Sequence, residues 1–189
     1  MVTQQINMAD MDALDLLRAA GWYPGRRVDA SDIQRFLAQE GHRVHAAAKA
    51  VLSEFSGLTI DGPDPALETH RRQRHLVIGA EAIMEGPGPY CDYSEAIGEA
   101  MIPVGGEFHM TVMIGERGTV WGAYSGAYGF IADSFVSAVG RILLAPPSEW
   151  SLDRRLPPGP DAEERIRRRQ LEDERHQAGG WRRFWGRRM

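Results

Sequence analysis

Gly21-Trp22-Tyr23-Pro24-Gly25-Arg26-Arg27-Val28 interrupts an N-terminal third that otherwise reads as helix. Its glycines and proline make a rigid turn, and Trp22 supplies a large aromatic anchor for a core. Arg26 carries a planar fork of donors, which suits an ion pair or a clamp on backbone carbonyls. Gly21, Trp22, Pro24, Gly25 and Arg26 are therefore read as scaffold. Upstream, residues 8–20 put Met11, Leu14 and Leu17 on one stripe, with Ala13 and Leu16 beside it. That spacing predicts a helix, started by Asp10 or Asp12 and stopped by Gly21.

Downstream of the turn, Asp29 or Ser31 caps a second helix through Glu40, with Ile33, Phe36 and Leu37 inward. A third helix is expected over residues 42–55, with Val44, Ala48, Val51, Leu52 and Phe55 on its apolar side. Leu58-Thr59-Ile60 and Leu76-Val77-Ile78 read as strands, residues 67–84 being otherwise ambiguous. Gly86-Pro87-Gly88-Pro89 reads as a loop and residues 93–101 as a further helix. Residues 108–114 and 119–124 alternate in polarity around Glu116-Arg117-Gly118, which predicts a hairpin. Residues 130–144 are expected to be the last core helix. The pattern is an α+β domain: N-terminal helices packed on a small, mostly antiparallel sheet with interspersed helices.

The composition changes at Ala145. Residues 1–145 make the body, proline-rich residues 146–160 a linker, and residues 161–189 a charged Arg/Trp-rich tail, partly helical or disordered. Hydrophobic residues form 43% of the 189-residue chain, enough for a core without disulfides or metals, and Cys91 is the only cysteine. No signal peptide and no bilayer-spanning stretch is read, so a cytoplasmic protein is expected. Charge is uneven: residues 1–150 hold 11 basic and 19 acidic residues, net −8, whereas residues 151–189 hold 11 basic and 7 acidic, net +4. An acidic body with a basic tail is a physical asymmetry that needs an account. The tail, ending in Trp181-Arg182-Arg183-Phe184-Trp185, reads as a disordered extension, as a contact for anionic lipid or nucleic acid, or as a segment folding back on the acidic body.

Signals for catalysis are weak. His42 and His45 are three apart but lack a third ligand at a metal-binding spacing. His70, His75 and His109 are scattered. Cys91 is flanked by Pro89, Tyr90 and Asp92, with no cation to favour a thiolate. The run Gly122-Ala-Tyr-Ser-Gly-Ala-Tyr-Gly129 has no lysine, so it is not a phosphate loop, and Ser125 lacks nucleophile-elbow spacing. Its tyrosines serve turn packing or an adaptable contact surface. The acidic run Glu81, Glu85, Asp92, Glu95 and Glu99 is either a solvated face or a surface that captures a basic partner. The partner-binding candidates are Glu81, Glu85, Asp92, Glu95, Tyr124 and Tyr128. No catalytic, cofactor or metal residue is assigned.

The ordered set of Gly21–Val28, His45-Ala46-Ala47, Leu52–Leu58, Ile97-Gly98, Ile102-Pro103-Val104-Gly105 with Glu107, and Gly118-Thr119-Val120 resembles the third subfamily of the SUKH superfamily of bacterial toxin immunity proteins. The resemblance spans about residues 12–144. Ser56 and Ala145 depart from it, standing where glycine is usual. It implies an α+β fold and a non-enzymatic inhibitor that neutralises a polymorphic or contact-dependent toxin encoded nearby, one attacking nucleic acid. It carries over no catalytic residues. Direct nucleic-acid binding by the body is not expected. The rival readings are a regulatory adaptor that binds a non-toxin protein and a small hydrolase using Cys91, His42 or His45.

Overall fold

A computed structural model describes residues 8–62, 74–79, 87–145 and 151–156. Three helices come first: α1 (Met8–Ala19), α2 (Ser31–Gln39) and α3 (Ala46–Phe55). In α1, Ala13 and Leu17 stand four apart on one face and are fully buried, with Leu14 and Leu16 packed beside them. Helix α2 buries Leu37 between the half-buried Ile33 and Phe36. Its entry is shaped by Asp29, whose carboxylate accepts a hydrogen bond from the Ser31 N–H at 2.9 Å. Hydrogen bonds from Ser31 hold the Asp29 carboxyl below its ordinary pKa. Each large aliphatic side chain withdrawn from water here, such as Leu17, Leu37 or Leu52, contributes about 1.5–3 kcal/mol.

Helix α3 starts at Ala46 rather than at residue 42, because His45 is its N-cap. The His45 backbone is extended, and its Nδ1 accepts from the Ala48 N–H at 3.2 Å. On the other side of the ring, Nε2 lies 3.2 Å from the Ile114 carbonyl oxygen. A carbonyl only accepts, so Nε2 carries the proton and Nδ1 is bare. That tautomer joins the helix start to the sheet.

Among the described residues the sheet is a meander of seven antiparallel strands, each hydrogen-bonded to its sequence neighbour: β1 (Thr59–Asp61), β2 (His75–Ile78), β3 (Met101–Glu107), β4 (Met110–Gly115), β5 (Val120–Tyr124), β6 (Ala127–Ala132) and β7 (Arg154–Arg155). Helix α4 (Pro87–Ile97) lies between β2 and β3 in the chain, and α5 (Phe135–Leu143) between β6 and β7. Alternation assigns the faces. Ile78, Val104, Val112, Ile114, Val120 and Ile131 enter the main core with α1, α2, α3 and α5. Met101, Met113, Trp121, Ala123 and Tyr128 enter a second cluster closed by Tyr90 and Tyr93 of α4. Both faces of the central strands are therefore covered. Helix α5 is capped by Ser134, whose hydroxyl accepts from the Ser137 N–H, and buries Phe135, Ala138, Val139, Ile142 and Leu143 at helical spacing.

The expected α+β architecture is present, with the hairpin β4–β5 turning through residues 116–119. Other local assignments also differ. Residues 93–101 were expected to be helical after a Gly-Pro loop, yet the helix begins at Pro87 and ends at Ile97. Proline is tolerated in the first helical turn, whose N–H groups have no intrahelical acceptor, and Gly98, with φ +76°, ends the helix. Met101 instead opens β3. Residues 127–132, partly assigned to the last helix, form β6, because Phe130-Ile131-Ala132 pairs with β5 before Ser134 caps α5. Finally, residues 151–156 return to the sheet. Arg155 pairs with Ala127 and Arg154 with Tyr128, and Leu152 and Leu156 pack on opposite sheet faces. The compact unit holding all described residues ends at Leu156. The tail over residues 161–189 and the rest of the proline-rich stretch lie outside the described residues.

Candidate functional site

The turn at residues 21–28 is built into the scaffold. Trp22 stacks on Phe55 with ring centroids 6.2 Å apart and planes 11° from parallel, and Phe55 meets Phe135 of α5 at 4.6 Å. The indole N–H donates to Glu54 Oε1 at 3.0 Å. Arg26 donates through Nη1 to the Glu54 carbonyl and through Nη2 to the Ser56 carbonyl at 2.9 Å. These carbonyls sit at the C-terminal end of α3, where helix oxygens lack intrahelical partners and the dipole is negative. Beside the turn runs an open groove of about 250 Å³ lined by Arg27, Lys49, Ala50, Ser53 and Glu54.

The residues weighed for catalysis are placed as follows. Both nitrogens of His45 serve the cap and the sheet contact. His42 is buried, its ring 5.3 Å from that of Tyr90. Cys91 is exposed on α4. His75 pairs with Asp61 at 2.6 Å on the outermost strand pair. His70 lies outside the described residues. Among the described residues no cluster of three or more histidine, cysteine or acidic side chains could hold a metal.

Of the acidic run, Glu81 and Glu85 lie outside the described residues. Glu95 is exposed and Asp92 half-buried on α4, so these two carboxylates share a helix that covers the sheet. Glu99 does something else. Its side chain is only 3% exposed and accepts from the Arg117 backbone N–H at 2.6 Å, the Arg117 guanidinium at 3.0 Å and the Thr119 hydroxyl at 3.0 Å. Burial pushes its carboxyl upward, but the Arg117 hydrogen bonds, the Thr119 hydroxyl and the Arg117 charge outweigh it and hold the pKa below its ordinary value. Glu99 thus fastens the β4–β5 turn. It fits there only because position 115 is glycine: a Cβ on Gly115 would lie 2.4 Å from the Glu99 carboxyl.

The two tyrosines are separated by the sheet's alternation. Tyr128 is 6% exposed and packs edge-on to Tyr93 at 5.7 Å. Tyr124 is 51% exposed at the end of β5. Two residues that sequence reasoning missed stand beside it. Phe108, 77% exposed, and His109 form the β3–β4 turn, with rings 3.9 Å apart, and His109 stacks on Tyr124 at 5.6 Å and 27°. The pairings Glu107–Met110, Thr111–Ala123 and Tyr124–Ala127 place the β3–β4 and β5–β6 turns at the same end of the sheet. No glycine or asparagine marks residues 108–109 as a tight turn, which is why they read as strand. Trp121 completes the second face, edge-on to Phe130 at 5.5 Å and covered by the Arg154 guanidinium at 5.3 Å.

Compared with known proteins, residues 9–145 match the family model described as SUKH-3 immunity protein. No curated protein and no solved structure matches the chain. Among the described residues, no helix is long and apolar enough to cross a membrane.

Proposed function

Because the chain belongs to the SUKH-3 immunity protein family, which implies toxin immunity through binding of a cognate toxin, we propose that it acts in the cytoplasm as a stoichiometric inhibitor of a polymorphic or contact-dependent toxin that attacks nucleic acid. The family match over residues 9–145 is the observation that carries this reading. Charge supports the choice of target. Proteins that grip phosphate backbones are basic, since phosphate contacts dominate their affinity. A body of net −8 over residues 1–150 captures such a partner quickly and disfavours neutral ones.

The proposed contact includes Asp92 and Glu95 of α4, with Glu81, Glu85 and Tyr124. Tyr128, being buried, supports this surface from beneath rather than touching the partner. Tight inhibition requires roughly 1,200–2,000 Å² of total buried surface with a few aromatic or arginine anchors. No covalent chemistry is needed, because occlusion of a catalytic cleft is sufficient.

The test is co-expression with the toxin encoded by the adjacent gene. Growth is restored, and the two proteins co-elute as one complex. Replacing Asp92 and Glu95 with arginine slows association at least tenfold at low salt and flattens its dependence on ionic strength. Absence of both rescue and complex would sink the proposal.

A further inference from the structure

Among the described residues, only two other than glycine adopt left-handed backbone conformations: Phe108 at φ +53° and Ser125 at φ +47°. They occupy the two hairpin turns that share one end of the sheet. A bulky aromatic at positive φ is an unfavourable choice that glycine would relieve. Phe108 gains no core packing in return, since it is 77% exposed. Backbone strain of this kind persists where a side chain is needed in one place and tends to collect at binding sites.

The neighbours of Phe108 hold that place. Its ring leans on His109, which rests on Tyr124. The β5–β6 turn below is tied to α4, because the Gly126 N–H donates to the Tyr93 hydroxyl oxygen at 3.0 Å. Glu107, just before the turn, is held by Arg74 at 3.4 Å. The result is an exposed row of three rings in mutual contact. It is coupled through Tyr93 to the helix that carries Asp92 and Glu95. Exposed aromatics that lose little entropy on binding are the residue type that dominates protein interfaces.

From this arrangement we propose that Phe108, His109 and Tyr124 are the anchor by which this protein seats in its toxin, with Phe108 entering a cavity of the toxin. The occupant is the toxin because exposed rings at a hairpin turn suit a concave partner and a body of net −8 over residues 1–150 suits a basic one. The inference rests on the inhibitor reading above.

The test uses the full chain and a catalytically inactivated form of the toxin encoded by the adjacent gene. Phe108→Gly and Phe108→Ala each weaken binding about 30-fold or more, mainly through faster dissociation, and Tyr124→Ala weakens it about tenfold. Phe108→Tyr, which keeps the ring, stays within about threefold. Phe108→Gly melts at or above the wild-type temperature, so its lost affinity does not come from lost folding. If wild type binds and both Phe108→Gly and Phe108→Ala bind within threefold of it, the anchor is wrong while the inhibitor reading stands. If wild type itself does not bind the toxin, both fall together.

Discussion

Removing the Arg26 guanidinium tests how the opening turn holds the fold. The side chain makes two charge-assisted hydrogen bonds to the Glu54 and Ser56 carbonyls at the end of α3, where the chain turns towards β1. A hydrogen bond involving a charged partner contributes about 1.5–3 kcal/mol, and a half-buried site takes the lower part of that range. Arg26→Ala therefore costs about 2–4 kcal/mol. For a domain of this size each kcal/mol moves the melting midpoint by roughly 2–4 °C, giving a fall of roughly 5–15 °C. Arg26→Lys keeps the charge but offers a single ammonium in place of the fork, and recovers about half the loss. Urea denaturation followed by Trp fluorescence and circular dichroism gives the difference, provided that the slope with denaturant is unchanged. An Arg26→Ala protein within about 0.5 kcal/mol of wild type, or an Arg26→Lys protein equal to wild type, would refute the clamp.

Two further expectations follow from the same geometry. The Glu99 carboxyl is held below its ordinary pKa, so its contribution is complete above the unfolded value and is lost as pH falls through the folded one. The stability gap between wild type and Glu99→Gln is therefore constant from pH 6 to 8 and begins to narrow as pH falls below roughly 4.5; a gap independent of pH in denaturant melts would contradict this. Gly129→Ala places a Cβ 1.9 Å from the Ser151 carbonyl oxygen, in backbone that cannot give way cheaply. The variant loses about 1–3 kcal/mol and releases residues 151–156 from the sheet. Tryptic cleavage after Arg154 and Arg155 then quickens roughly tenfold or more, and unchanged cleavage would show that this segment is not held as described.

What the sequence determined by itself is local. The 3.6-residue spacing around Leu14 and Leu17, and around Phe36 and Leu37, specified the first two helices. The alternation on either side of Gly118 specified the β4–β5 hairpin, because a period-two pattern can bury one face only as a strand. The ordered motifs from Gly21 to Val120 were enough to place the chain in its family. The tertiary structure decided what depends on distant neighbours. Pro87 opens a helix because Tyr90 and Tyr93 have a sheet face to cover. Arg154 and Arg155 form a strand because β6 offers an unpaired edge and Gly129 leaves room for the Ser151 carbonyl. Glu99, one acid among several in sequence, is buried as a turn clamp because Arg117 and Thr119 lie 18 and 20 residues away in the chain but within 3.0 Å in space. Tyr124 and Tyr128 are alike in sequence and opposite in fate, since the register of β5 against β6 buries one and leaves the other beside Phe108. A residue's type sets what it can bind or bury; which of these it does is settled by non-local pairing, and no local pattern encodes that.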